Sequence, residues 1–174
     1  THAYPSCVRG MILLGSCAPS QFKLSHRSDA LPATRALFAL DQESFFKFAT
    51  YNIFTSNFLS DEKEKENLRS RFLSDFPVQT VCEEQIMAIS EIIKWSVEVS
   101  PSFSCPALIV VGLEDEIVPP SWSEAIKGSL VGDAEFKIVH SSHMFMYEEP
   151  AVTAEYILEW LKKQCQVCSC REET

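Results

Sequence analysis

No stretch of this sequence is long and apolar enough to cross a bilayer. The longest uninterrupted aliphatic run is residues 107–111 (ALIVV), whereas a membrane-spanning helix needs about 20 mostly apolar residues, so no transmembrane segment is expected. Basic residues are also scarce. Lys and Arg number 15 against 24 Asp and Glu, a formal charge of −9, and such a balance repels phosphate backbones and anionic lipid heads. Nucleic acid is therefore not the expected partner. Glycine is sparse, with five in all, and none falls between residues 21 and 100. The opening Thr-His-Ala-Tyr-Pro has neither an initiator Met nor the basic-then-apolar layout of a signal peptide. The expectation is that the chain begins partway through a longer protein. Apolar residues are plentiful: at 46% of 174 residues they suffice for the core of one ordinary domain, which excludes disorder throughout.

Seven cysteines stand at positions 7, 17, 82, 105, 165, 168 and 170, an odd number without a regular framework. Scattered thiols favour a reducing, cytoplasmic compartment. Cys165, Cys168 and Cys170 offer three soft ligands, but a closed zinc site generally takes four and no His lies near them in sequence. The reading is a loose tail over residues 165–174, with no metal.

Residues 8–15 (VRGMILLG) form a short apolar run ended by glycine, which predicts a buried strand feeding a loop. From residue 21 to about 100 the spacing becomes helical. Phe45, Ala49 and Ile53 stack at four-residue steps, with Phe46, Phe54 and Phe58 widening the face, a pattern of core rather than ligand wall. Residues 61–66 (DEKEKE) alternate in sign ahead of Leu68, Phe72 and Leu73 and predict the solvated side of a second helix. Residues 83–97 put Ile86, Ile89, Ile93 and Val97 on one stripe, a third helix. After Pro101, strand and helix alternate. Residues 107–111 read as a buried strand, Ser121-Trp122-Ser123-Glu124 has capping-box spacing, and residues 135–139 (EFKIV) read as another strand. Pro150 then opens a helix aligning Val152, Tyr156 and Trp160, with Ile157 and Leu161 beside them. This βαβα ending implies an α/β fold with a parallel sheet, whose function gathers in the loops beyond the strands' carboxyl ends.

Two such loops carry chemistry. The first reads Gly112-Leu113-Glu114-Asp115-Glu116-Ile117-Val118-Pro119-Pro120, and the second His140-Ser141-Ser142-His143-Met144-Phe145-Met146-Tyr147-Glu148-Glu149-Pro150. A carboxylate accepting a hydrogen bond from an imidazole fixes its tautomer and stabilises its charged form while it takes a proton from a nucleophile. One helix and one strand separate Asp115 from His143, which brings two adjacent strand ends together. Glu114 and Glu116 compete as the acid, and His140 as the histidine. His2 and His26 read as surface or loop residues, and the run Met144 to Tyr147 suits packing or an acyl-pocket wall equally.

G-x-x-D-x-x-V-P followed by S-x-H and then E-x-P resembles the closing section of the α/β-hydrolase family. The resemblance implies a triad in the order nucleophile, acid, histidine, with Asp115 as acid and His143 as base. It also implies that residues 1–20 hold the strand and loop after the nucleophile elbow. Residues 21–100 would be an inserted helical cap, and residues 101–164 the βαβα unit with the acid and histidine loops. The chain departs from the family in two places. Ser142 stands where the family often has glycine. No G-x-S-x-G occurs, and Ser129, flanked by Gly128 and Leu130, falls between acid and histidine and so out of order. The nucleophile is therefore expected upstream of Thr1, and this chain alone is not expected to turn over. The resemblance implies a serine-type hydrolase of an ester, lactone or similar small apolar acyl substrate, with no cofactor. An Asp or Cys nucleophile would instead shift the chemistry toward dehalogenation, epoxide opening or thiol-based acyl transfer. The alternative from another class is a non-catalytic binding or interaction protein of the same fold.

Overall fold

The computed structural model describes residues 7–17, 32, 35–76, 79–85, 87–88, 105–128, 130 and 132–169, with side chains through residue 165 apart from the gaps. The chain divides into two compact units, Thr1–Cys17 with Pro101–Thr174, and Ala18–Ser100.

The first unit is built on a three-stranded parallel sheet in the order β1 (Met11–Leu14), β2 (Ala107–Gly112), β3 (Ala134–Val139). The registers pair Met11 with Ala107 and Leu14 with Val110 on one side, and Ala107 with Ala134 and Gly112 with Val139 on the other. All six residues of β2 are buried, as a central parallel strand covered on both faces requires. Helix α4 (Pro120–Lys127) links β2 to β3 and packs against both. After β3 come a single-turn helix α5 (Phe145–Glu148) and the long α6 (Pro150–Ser169). Leu108, Val110, Val139, Phe145 and Trp160 form the core, and Ile12, Leu14, Val152, Tyr156 and Ile157 pack against it. Trp160, 4% exposed, is the large anchor that α6 sets on the sheet, one of the biggest single contributors of buried apolar area.

The second unit is helical where described. It holds α1 (Gln42–Ile53), α2 (Ser56–Ser60) and α3 (Glu62–Ser74), with helical residues also at 35–38, 79–85 and 87–88. Each of the three helices starts on a polar cap. The Asp41 carboxylate accepts from Ser44 N, the Thr55 hydroxyl from Phe58 N, and the Asp61 carboxylate from Lys63 N and Glu64 N, satisfying amides that have no partner within the helix. Phe38, Phe45, Phe46, Phe72 and Phe76 pack ring against ring at centroid distances of 4.9 to 6.0 Å. Arg69 ties α3 to Glu43 of α1 at 2.7 Å.

Several local expectations are corrected. The strand expected over residues 8–15 is confined to Met11–Leu14. The capping box at Ser121 does not form: α4 begins at Pro120, its N-cap Pro119 has no side-chain cap bond, and Ser123 instead donates its hydroxyl to Ser16 O. Proline at the first helical position lacks an amide and presets the helical φ, so no cap is needed one residue later. In α1 the apolar face is buried on its expected flank, at Phe46 and at Phe54 just past the helix end, together with Thr50, while its central stripe Phe45, Ala49 and Ile53 is half-buried. In α6, Leu161 is 40% exposed. The helix continues to Ser169, so Cys165 and Cys168 lie on helical backbone where a loose tail was expected. Residues 89–100, which include Ile89, Ile93 and Val97 of the third expected helix, lie outside the described residues, as do Ile86 and Cys170. Among the described residues no helix is long and apolar enough to cross a membrane, and no group of three or more His, Cys, Asp or Glu is placed to hold a metal ion.

Candidate active site

Parallel strands end at one rim, and the loops leaving β2 and β3 meet there. Leu113 N donates to Val139 O at 2.8 Å and Glu114 N to Ser141 O at 3.0 Å, so the two loops are laced together by backbone bonds before any side chain is considered. Asp115 follows immediately. Its carboxylate is buried and divides its two oxygens: Oδ1 accepts from Ile117 N at 2.9 Å and Val118 N at 2.8 Å, and Oδ2 lies 2.8 Å from His143 Nδ1. An ionised carboxylate can only accept, so Nδ1–H of the imidazole donates, and Nε2 is left with its lone pair. The His143 side chain is 29% exposed against 0% for Asp115. The acid is sealed and the ring reaches the surface.

The competing residues sit elsewhere. Glu114 and Glu116 are exposed, as is His140. Phe145 is fully buried in the sheet core, so of the run Met144 to Tyr147 this residue is packing, whereas Met146 is 39% exposed. Ser142 is buried, and its hydroxyl reaches Glu114 O at 3.5 Å. No described non-glycine residue has a positive φ, so the loop makes no conformational demand for glycine at position 142. Ser129, His2 and His26 lie outside the described residues.

No family model matches the sequence, and no curated protein does either. Solved structures do match. An esterase from Thermogutta terrifontis superposes with a TM-score of 0.72 at 20% identity, over 92% of this chain and 58% of the esterase. The enol-lactonase from Burkholderia xenovorans LB400 gives 0.68 at 15% identity, over 89% and 56%. An alpha/beta hydrolase enzyme from a Medee basin deep-sea metagenome library gives 0.66 at 19% identity, over 91% and 58%. The chain has the α/β-hydrolase fold. It spans less than two thirds of the length of each of these structures.

Within this α/β-hydrolase sheet, the end of β1 adds residues to the rim that the sequence did not single out. A Cβ built on Gly15, whose φ is +52°, would lie 3.6 Å from His143 Cε1 and 3.7 Å from its Nδ1, so β1 ends against the imidazole. Two residues on, burial and then the charge of Asp115 push the Cys17 thiol up to about 11. Ser123, fully buried in α4, holds this segment by its bond to Ser16 O. The only sequence signal was topological, since a parallel strand running beside β2 must end at the same rim.

Proposed function

We propose that the chain carries the acid and the base of a serine-type α/β-hydrolase acting on an ester, lactone or similar small apolar acyl substrate, with the nucleophile supplied by the part of the protein outside these residues. The observation that carries this reading is the buried Asp115 carboxylate bonded to Nδ1 of a surface-reaching His143 at 2.8 Å. The proposed serine gives its proton to His143 Nε2 as its oxygen bonds to the acyl carbon, and Asp115 stabilises the imidazolium so formed. The proton passes to the leaving oxygen as the acyl–oxygen bond breaks. Water then repeats the sequence, with His143 as base, releasing the acid and regenerating serine. Leu113, Ile117 and Met146 are exposed within two or three residues of Asp115 and His143 in sequence, which suits an apolar acyl group. The esterase and enol-lactonase among the structural neighbours support an acyl substrate. The helical unit, inserted between β1 and β2, is the proposed cap.

The test is hydrolysis of short-chain p-nitrophenyl esters by the full-length protein and by His143→Ala, together with a reading of the coding sequence upstream of Thr1. A G-x-S-x-G elbow and a loss of roughly a thousandfold or more in kcat for the variant are expected. An unchanged rate removes His143 from the mechanism. An elbow without a nucleophile makes the protein a binding member of the fold.

A further inference from the structure

Gly112 is the last residue of β2, and its Cα faces the turn that carries His143. A Cβ there would fall 2.1 Å from Ser142 O, 2.7 Å from Ser141 O and 2.8 Å from Ser142 C. All three are backbone atoms, which cannot swing aside as the end of a flexible side chain can. Gly112 does not have the positive φ that Gly15 has, so the position demands space rather than conformational freedom. The backbone bonds from Leu113 N to Val139 O and Glu114 N to Ser141 O run across this gap. The acid loop and the histidine loop thus touch through a contact only glycine allows.

We propose that Gly112 is a positioning residue: its missing side chain sets the separation of the two loops and thereby the bond between Asp115 and His143. A methyl group at Gly112 needs ordinary van der Waals distance from Ser142 O, so the histidine turn must retreat by roughly an ångström or more. Asp115 cannot follow, because its Oδ1 is held by Ile117 N and Val118 N. An N···O contact of 2.8 Å lengthened that far is no longer a hydrogen bond.

Gly128 provides the control. It caps the end of α4 in a right-handed conformation, φ −66°, and a Cβ there meets Ala125 O at an ordinary 3.6 Å. Gly128→Ala therefore adds a methyl group without touching either loop, while Gly112→Ala forces the two loops apart and breaks the pair.

The experiment is proton NMR on the full chain, following the downfield Nδ1–H resonance of His143, assigned by its loss in His143→Ala. The resonance is expected in the wild type and in Gly128→Ala, and lost or moved upfield in a folded Gly112→Ala. A folded Gly112→Ala with the wild-type resonance overturns the proposal. If Gly112→Ala does not fold, the variant Gly112→Ala with Ser142→Gly replaces it, with the same two outcomes, because a looser turn that yields to the methyl group carries the adjoining His143 away with it. Failure of that variant to fold also overturns the proposal, because a residue the whole sheet needs does not set one side-chain pair. Only the kinetic consequence rests on the hydrolase reading: a misplacement of about 1 Å is expected to lower kcat roughly a hundredfold with KM little changed. A wild type without esterase activity would sink that reading and leave the resonance test intact.

Discussion

Asp115 holds His143 with one carboxylate oxygen and its own loop with the other, Oδ2 to Nδ1 at 2.8 Å and Oδ1 to the amides of Ile117 and Val118. The imidazole is therefore oriented by an acid that cannot rotate without abandoning two backbone donors.

Asp115→Asn separates the two jobs. The amide oxygen can keep the bonds from Ile117 N and Val118 N, while the NH₂ group turned toward His143 forces Nδ1 to accept, placing the proton on Nε2. Folding is expected to survive. On the proposed hydrolase function, kcat of the full-length protein is expected to fall by roughly 10⁴ from the wrong tautomer. Steady-state kinetics beside thermal unfolding would check it, and a rate within tenfold of wild type would remove Asp115 as the acid.

Cys17 is expected to be slow toward iodoacetamide. Only the thiolate reacts, and a thiol pushed up to about 11 by burial and by Asp115 is almost wholly protonated at pH 8. Exposed Cys7 and Cys165 should label at least about ten times faster. Peptide mass spectrometry over a time course reads this directly. Asp115→Asn should quicken Cys17 in part, by removing the smaller of the two causes.

Ser141 is fully buried, and its hydroxyl has no hydrogen-bond partner among the described residues. A buried unpaired hydroxyl costs about 1 to 3 kcal/mol, so Ser141→Ala is expected to leave the chain as stable or make it more so. Urea midpoints decide it. A loss above about 1 kcal/mol would mean that Ser141 has a partner beyond the described residues.

Acid should loosen the helical unit. The backbone amide and then the hydroxyl of Ser44 hold Asp41 below its ordinary 3.8, and hydrogen bonds from Arg35 and then Gln79 hold Glu83 below its ordinary 4.5. For such lowered groups the unfolded chain binds protons first, so their stabilisation is present above the unfolded values and fades as pH falls through the lower folded ones. Helical circular dichroism titrated below about pH 4 should show less of this loss in Asp41→Asn than in wild type, because the variant has no titrating carboxylate at that position.

The strands, the α/β class and the meeting of Asp115 with His143 were legible because each depends on short-range pattern: apolar runs, a glycine, then a polar loop. The face of α1 was less so. Its phenylalanines lie on several sides, and neighbours rather than periodicity decided that Phe46 is buried and Phe48 exposed. The capping spacing at Ser121 was real as a pattern but was overridden by Pro119 and Pro120 just before it. Gly15 and Cys17 were not legible as site residues, since what brings them to His143 and Asp115 is the pairing of β1 with β2 across the whole helical insert. Gly112 was visible only as a glycine ahead of an acid, and its tight contact with the Ser142 carbonyl belongs to tertiary structure.

That pairing of Met11 with Ala107 also governs how the chain is made. On the ribosome β1 emerges long before β2, and throughout that interval an apolar strand has no sheet neighbour to β2's side. If the intervening helices condense first, they shorten the loop that β1 and β2 must close, and the entropic cost of closure falls accordingly. The helical insert would then act as an internal folding aid for the sheet, and weakening its phenylalanine cluster should slow formation of the acid–histidine rim, even though none of those rings belongs to the sheet.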